Sequence, residues 1–173
     1  MSSDVTAPDI LADGFDRVHE VARAAVAGLS DDELTTRLDP EANTIAWLVW
    51  HLARVQDDHV ADVADIEQVW TAGGWHDRFD LPFEPGAIGY GQSSHDVAQV
   101  RASADLLTGY LAAVTEQSQR YLKQLTEADL ARVVDERWDP PVTLAVRLVS
   151  VISDDLQHAG QAAFVRGVLL RRR

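Results

Sequence analysis

Asp154, Asp155 and His158 interrupt the otherwise apolar run from Leu144 to Val165. At ~100° per residue in a helix, Leu144, Leu148, Val151, Ile152, Ala159 and Ala162 form the centre of an apolar stripe. Asp155 projects close to that centre, His158 lies on its edge, and Asp154 falls one step further round. Residues four apart stack one turn apart, so Asp154 and His158 can address a common point. A carboxylate carried into a core without a partner is costly, which calls for a compensating cation: an arginine, a protonated histidine or a metal ion. A second segment offers a matching group. His51 shares the inward side of its helix with Leu48, Leu52 and Val55. One histidine on one helix and an acid-x-x-x-histidine pair on another present two imidazoles and a carboxylate. That set suits a borderline divalent ion (zinc, nickel or iron) with positions left open for water or substrate. A structural His51–Asp ion pair accounts for the same residues, and spacing alone leaves both readings standing.

Neighbouring residues read as pocket walls. Trp47 lies one turn before His51, and Gln161 lies one turn beyond His158 in position to orient a ligand or bind substrate. His59 follows His51 by eight residues, a rise of ~12 Å, so the two cannot share one ion and His59 is expected in the core or in a pocket wall. His76 and Asp77 form an acid–base pair in a glycine-flanked loop and are expected to be exposed.

Four amphipathic helices must position these groups. The first opens at Pro8 and Asp9 and stops at Gly28; a brief helical turn starts at Ser30 or Asp31. The second is capped by Asn43 or Thr44 and runs through His59, with residues 63–70 either prolonging it or forming a short separate helix. Residues 71–93 combine Gly73, Gly74, Pro82, Pro85, Gly86, Gly89 and Gly91 with Trp75, Phe79, Leu81, Phe83 and Tyr90. That mixture predicts an irregular but packed crossover without a regular element, of the length that usually serves as a lid or pocket wall. Ser93 or Ser94 caps a third helix expected over Asp96–Leu125, a second irregular stretch spans Thr126–Pro141, and the fourth helix runs from Val142 or Thr143 to about Leu170. The pattern describes an all-α four-helix bundle, one domain over residues 1–173, with a long crossover between the second and third helices.

The 173 residues carry a net charge of −13 and no cysteine. The acidic balance argues against nucleic acid as a partner, since the only basic cluster is Arg171–Arg173. No apolar run approaches the ~20 residues that span a bilayer, and the polar, acidic start lacks the features of a leader, so a soluble cytoplasmic protein is expected. Without cysteine there are no disulfides and no thiolate ligands, so any thiol chemistry needs a thiol from outside. An apolar helix face could be shared with a second copy, which makes a homodimer a possible assembly.

The segments Thr44-Ile-Ala-Trp-Leu-Val-Trp-His51-Leu-Ala-Arg54 and Asp154-Asp-Leu-Gln-His158-Ala-Gly-Gln161 resemble the DinB/YfiT-like superfamily. These four-helix bundles include thiol-dependent enzymes such as mycothiol-dependent maleylpyruvate isomerase. The likeness follows helix order and length along nearly the whole chain and is specific at the two histidine motifs. It implies a divalent ion held by His51, Asp154 and His158. It further implies a low-molecular-weight thiol of the mycothiol type, transferred to a small electrophile. Asp154 departs from the pattern, because related chains carry histidine or glutamate there. Aspartate is one methylene shorter than glutamate and leaves Asp155 as a rival ligand. A metal-assisted hydrolase or isomerase that uses no thiol, and a non-catalytic stress-response or binding bundle with a structural Asp–His cluster, are the alternative functions.

Overall fold

The computed structural model describes residues 5–173. Residues 1–4, the start of the segment read above for a leader, lie outside the described residues. Helix α1 (Ala7–Val26) begins where Thr6 and Asp9 close a capping box, each side chain satisfying the other's backbone N–H, with Pro8 in the first turn. Ser30 and Glu33 repeat the device for the single turn α2 (Asp31–Leu34). Helix α3 (Ile45–Ala64) starts at Thr44, whose hydroxyl accepts the Trp47 N–H, and ends on Asp65 in the left-handed conformation. The single turn α4 (Val69–Ala72) follows as a separate element. Thr143 caps α8 (Leu144–Arg171) in the same manner as Thr44 caps α3.

Three stretches differ from the sequence expectation. The crossover holds a regular element, α5 (Trp75–Phe79), entered through Gly74 at φ +65° and left through Asp80 at φ 48°. Trp75 and Phe79 are four apart, so both rings fall on one side of α5 and pack against Tyr110, which rewards a helical turn despite the flanking glycines. The expected third helix is two helices, α6 (Ser94–Gln99) and α7 (Ala104–Leu122). Val100 is extended and buried, and Ser103 starts α7 by accepting the Leu106 N–H. The stretch 126–141 contains a 3-10 turn (Asp129–Ala131) and a strand, β1 (Val133–Asp135), paired antiparallel with β2 (Val142–Thr143).

The four long helices pack as a square in which α1 and α3 are each flanked by α7 and α8 and touch each other little. Almost the whole of α3 is buried, because α7, α8 and the crossover cover it together. Trp50, Trp70 and Tyr110 are sealed in one buried cluster, and Phe15, Leu144 and Leu148 belong to a second. Each such side chain contributes about 1.5–3 kcal/mol by leaving water. The result is an all-α bundle whose most buried helix carries His51 and whose last helix carries Asp154 and His158.

Candidate metal centre

His51 sits on α3 with 6% of its surface exposed. Its Nδ1 faces the backbone carbonyl of Ile88 in the crossover. A carbonyl only accepts, so Nδ1 carries the proton and Nε2 presents a lone pair. Trp47, one turn earlier, stacks on the imidazole with centroids 4.5 Å apart and planes 14° apart, and its own Nε1 donates to Gln92 Oε1 at 2.7 Å. His158 meets the ring of His51 edge-on at 4.7 Å. Asp154 Oδ2 lies 4.0 Å from His51 Nε2 and 3.6 Å from His158 Nε2. One ligand atom from each of the three residues falls within 4.8 Å of the others.

These groups converge without bonding to one another. Asp154 Oδ2 is enclosed and has no hydrogen-bond partner among the described residues, and neither has His158 Nδ1. Ligands of a tetrahedral ion at ~2.1 Å stand ~3.4 Å apart, so the 3.6 and 4.0 Å separations close on an ion with small side-chain rotations. Two imidazole nitrogens and a carboxylate oxygen form the donor set of a borderline divalent cation, and the residues present fit such an ion. Burial pushes the His51 pKa down and His158 adds to the effect, while the Ile88 bond and Asp154 oppose it. The neutral imidazole that results is the ligating form.

Asp155 stays out of this group. It is fully buried, neither carboxyl oxygen has a partner among the described residues, and burial, with Asp154 adding, pushes its pKa well above the ordinary carboxyl value. The apolar stripe therefore locates the more inward carboxyl, whereas convergence on the histidines involves its neighbour Asp154.

A cavity of about 180 Å³ opens beside the trio, lined by His51, Val55, His59, Ile88, Val151 and Asp154, with exposed Tyr90 also on its wall. His59 thus shares a wall with His51 from two turns along α3; burial pushes its pKa down, and Asp58, whose Oδ2 is 3.8 Å from its Nδ1, opposes the shift. Gln161 is exposed and lines a different, wider groove with Leu38, Asn43, Leu48 and Phe164. His76 and Asp77 pair at 3.1 Å on α5, and neither lines that cavity.

Sequence reasoning missed the support behind the trio. Arg54 and Asp57, both fully buried on α3, stand 3.6 Å apart. Arg54 donates to the carbonyl of Ala87, to Gln68 Oε1 and to Tyr110 OH, while Asp57 accepts from Tyr110 OH and from the N–H groups of Val69 and Trp70. The available signal was the pair of charges inside the most apolar helix of the chain, where each requires a partner.

The sequence matches the mycothiol-S-transferase family over residues 10–170. Among solved structures, a conserved protein from Enterococcus faecalis is similar, with a TM-score of 0.87 and 32% identity over 93% of this chain and 95% of that one. No functionally curated protein matches. The helical architecture and the extent of the family match agree, and the chain belongs to the mycothiol-S-transferase family within the DinB/YfiT-like superfamily.

Proposed function

We propose that the protein is a metal-dependent thiol transferase, with His51, Asp154 and His158 as ligands of one divalent ion and a low-molecular-weight thiol of the mycothiol type as cosubstrate. The observation that carries this is the enclosed, unpartnered Asp154 Oδ2 facing two imidazoles at the edge of a cavity. Family membership supplies the thiol. A bound divalent ion would supply Lewis acidity, which lowers the pKa of a thiol and favours the nucleophilic thiolate.

The chain's residues divide the remaining work. His51 Nε2, Asp154 Oδ2 and one His158 nitrogen hold the ion. The Ile88 carbonyl keeps the His51 proton on Nδ1, and the Trp47 stack keeps the ring in plane. Val55, Ile88 and Val151 give the cavity an apolar wall that limits water around the nucleophile. His59, with its Nδ1 3.8 Å from Asp58 Oδ2, lines the same cavity beside the trio and is placed to face a molecule bound there. His59 is thereby a substrate contact, Trp47 acts on substrate through His51, and Gln161 serves the outer groove.

Elemental analysis of protein prepared without chelator or affinity-tag metal tests the reading. Wild type should carry close to one divalent ion per chain, with His51→Ala and His158→Ala largely emptied. Consumption of electrophile by the wild type should require an added thiol. Equal metal content in all three proteins removes the centre, and turnover that ignores thiol removes the transferase.

A further inference from the structure

We infer that the crossover segment Pro85–Gly89, clamped by buried Arg54, is a positioning strap that fixes the ring and the tautomer of His51. The inference rests on the reading of His51 as a metal ligand through Nε2. Arg54 follows His51 by one turn on α3, and its guanidinium is wholly buried. Its Nε donates to the Ala87 carbonyl at 3.1 Å and Nη2 reaches the Pro85 carbonyl at 3.5 Å. The next residue, Ile88, supplies the carbonyl that accepts from His51 Nδ1. The guanidinium is itself immobilised by Gln68 Oε1 at 2.9 Å, Tyr110 OH at 3.2 Å and the face of Trp70 at 5.0 Å. One helix therefore carries both the ligand and the anchor of the loop that orients it.

Gly89 supplies a second, independent contact. Its φ is +93°, and a Cβ built there would stand 2.6 Å from His51 Nδ1 and 3.1 Å from Trp50 Cζ3. The strap lies directly against the imidazole, and only glycine combines that backbone conformation with that approach. Gln92 continues the same support, since it bonds to Trp47, which stacks on the face of the ring. Which imidazole nitrogen carries the proton is set by the hydrogen bond the other makes. A strap displaced from Nδ1 lets the proton move to Nε2, which removes the lone pair that would face the ion.

A planar fork reaches several acceptors at once, and a lysine ammonium on a flexible stem does not. The test is Arg54→Lys beside Gly89→Ala, the latter leaving Arg54 untouched. Imidazole ¹⁵N spectra of the metal-free, folded proteins read the His51 tautomer directly, assigned by comparison with His51→Gln. Wild type should show the Nδ1–H form, and each variant should move toward Nε2–H. Zinc affinity by competition with a chelator should fall on the order of 10–100-fold in both, as losses of outer support around metal ligands do. Should Arg54→Lys fail to fold, Gly89→Ala still decides. Folded variants that keep the wild-type tautomer, with zinc affinity within about twofold, overturn the inference. A wild type that takes up none of zinc, nickel or iron refutes the metal reading of the trio instead, and the tautomer data decide the strap on their own.

Discussion

Tyr110→Phe isolates the stability role of the buried network from its positioning role. The Tyr110 hydroxyl is fully buried between two charges, donating to Asp57 Oδ2 at 2.8 Å and accepting from Arg54 Nη1 at 3.2 Å. Hydrogen bonds to charged groups contribute about 1.5–3 kcal/mol each. Neither partner is orphaned by the change: Asp57 keeps the Val69 and Trp70 N–H groups, and Arg54 keeps Gln68 and Ala87. The ring itself stays packed on Trp70, Trp75 and Phe79. The loss should therefore fall near the low end for two such bonds, about 3–4 kcal/mol, and no higher than the about 3–5 kcal/mol of breaking a buried ion pair outright. Urea unfolding should show a lower midpoint with an unchanged slope. Zinc affinity should stay within about threefold of wild type, because the Arg54 bond to Ala87 persists. A loss under about 1 kcal/mol would mean the hydroxyl is not shared between the two charges. A tenfold loss of zinc affinity would mean the network acts on the site as one unit, and either outcome refutes the separation argued here.

Two further outcomes follow from the site. Asp154→Asn should lose bound metal while Asp155→Asn keeps it, because only the former residue converges on the histidines; inductively coupled plasma analysis of both reads the difference, and the reverse result would reassign the carboxylate ligand. For pH, His51 and His59 are both held below the ordinary imidazole value of 6.5 by burial. The unfolded chain therefore binds more protons than the folded one below that value, so stability is full above 6.5 and is lost as pH falls through it toward the depressed folded values. Urea midpoints of metal-free protein between about pH 5 and 7.5 should drop on the acid side, and His59→Gln should flatten that drop; an unchanged profile would place His59 in water.

The long helices were legible because apolar residues at i, i+3, i+4 and i+7 coincide with side-chain caps such as Thr44 and Thr143. The break between α6 and α7 was not. Val97, Val100, Leu107, Leu111 and Val114 keep helical step straight through residues 100–103, so periodicity carries no trace of the interruption. Only the Ser103 hydroxyl, which begins a new helix, distinguishes it, and serine occurs within helices as well. Helix α5 was hidden for the opposite reason. The glycines and prolines that flank it dominate the local pattern, and its rings pack on Tyr110, a partner far along the chain.

The same division explains the site. His51, Asp154 and His158 announce themselves as polar residues at inward helical positions, and helix geometry does the rest. The groups that fix His51 are largely backbone: the Ile88 carbonyl, the Gly89 Cα and, through Arg54, the Ala87 carbonyl, separated from their partners on α3 by more than thirty residues. Any side chain can precede or follow a carbonyl that accepts a hydrogen bond, so no residue type marks it. Arg54 is the exception through which the support could have been inferred. A fully buried guanidinium must find several acceptors, α3 itself offers only Asp57 at 3.6 Å, and the irregular part of the crossover beyond α5 carries carbonyls not taken up by a helix of its own. A buried arginine one turn from a candidate ligand thus points to the loop that orients the ligand, and that step from charge to loop can be taken before any coordinates exist.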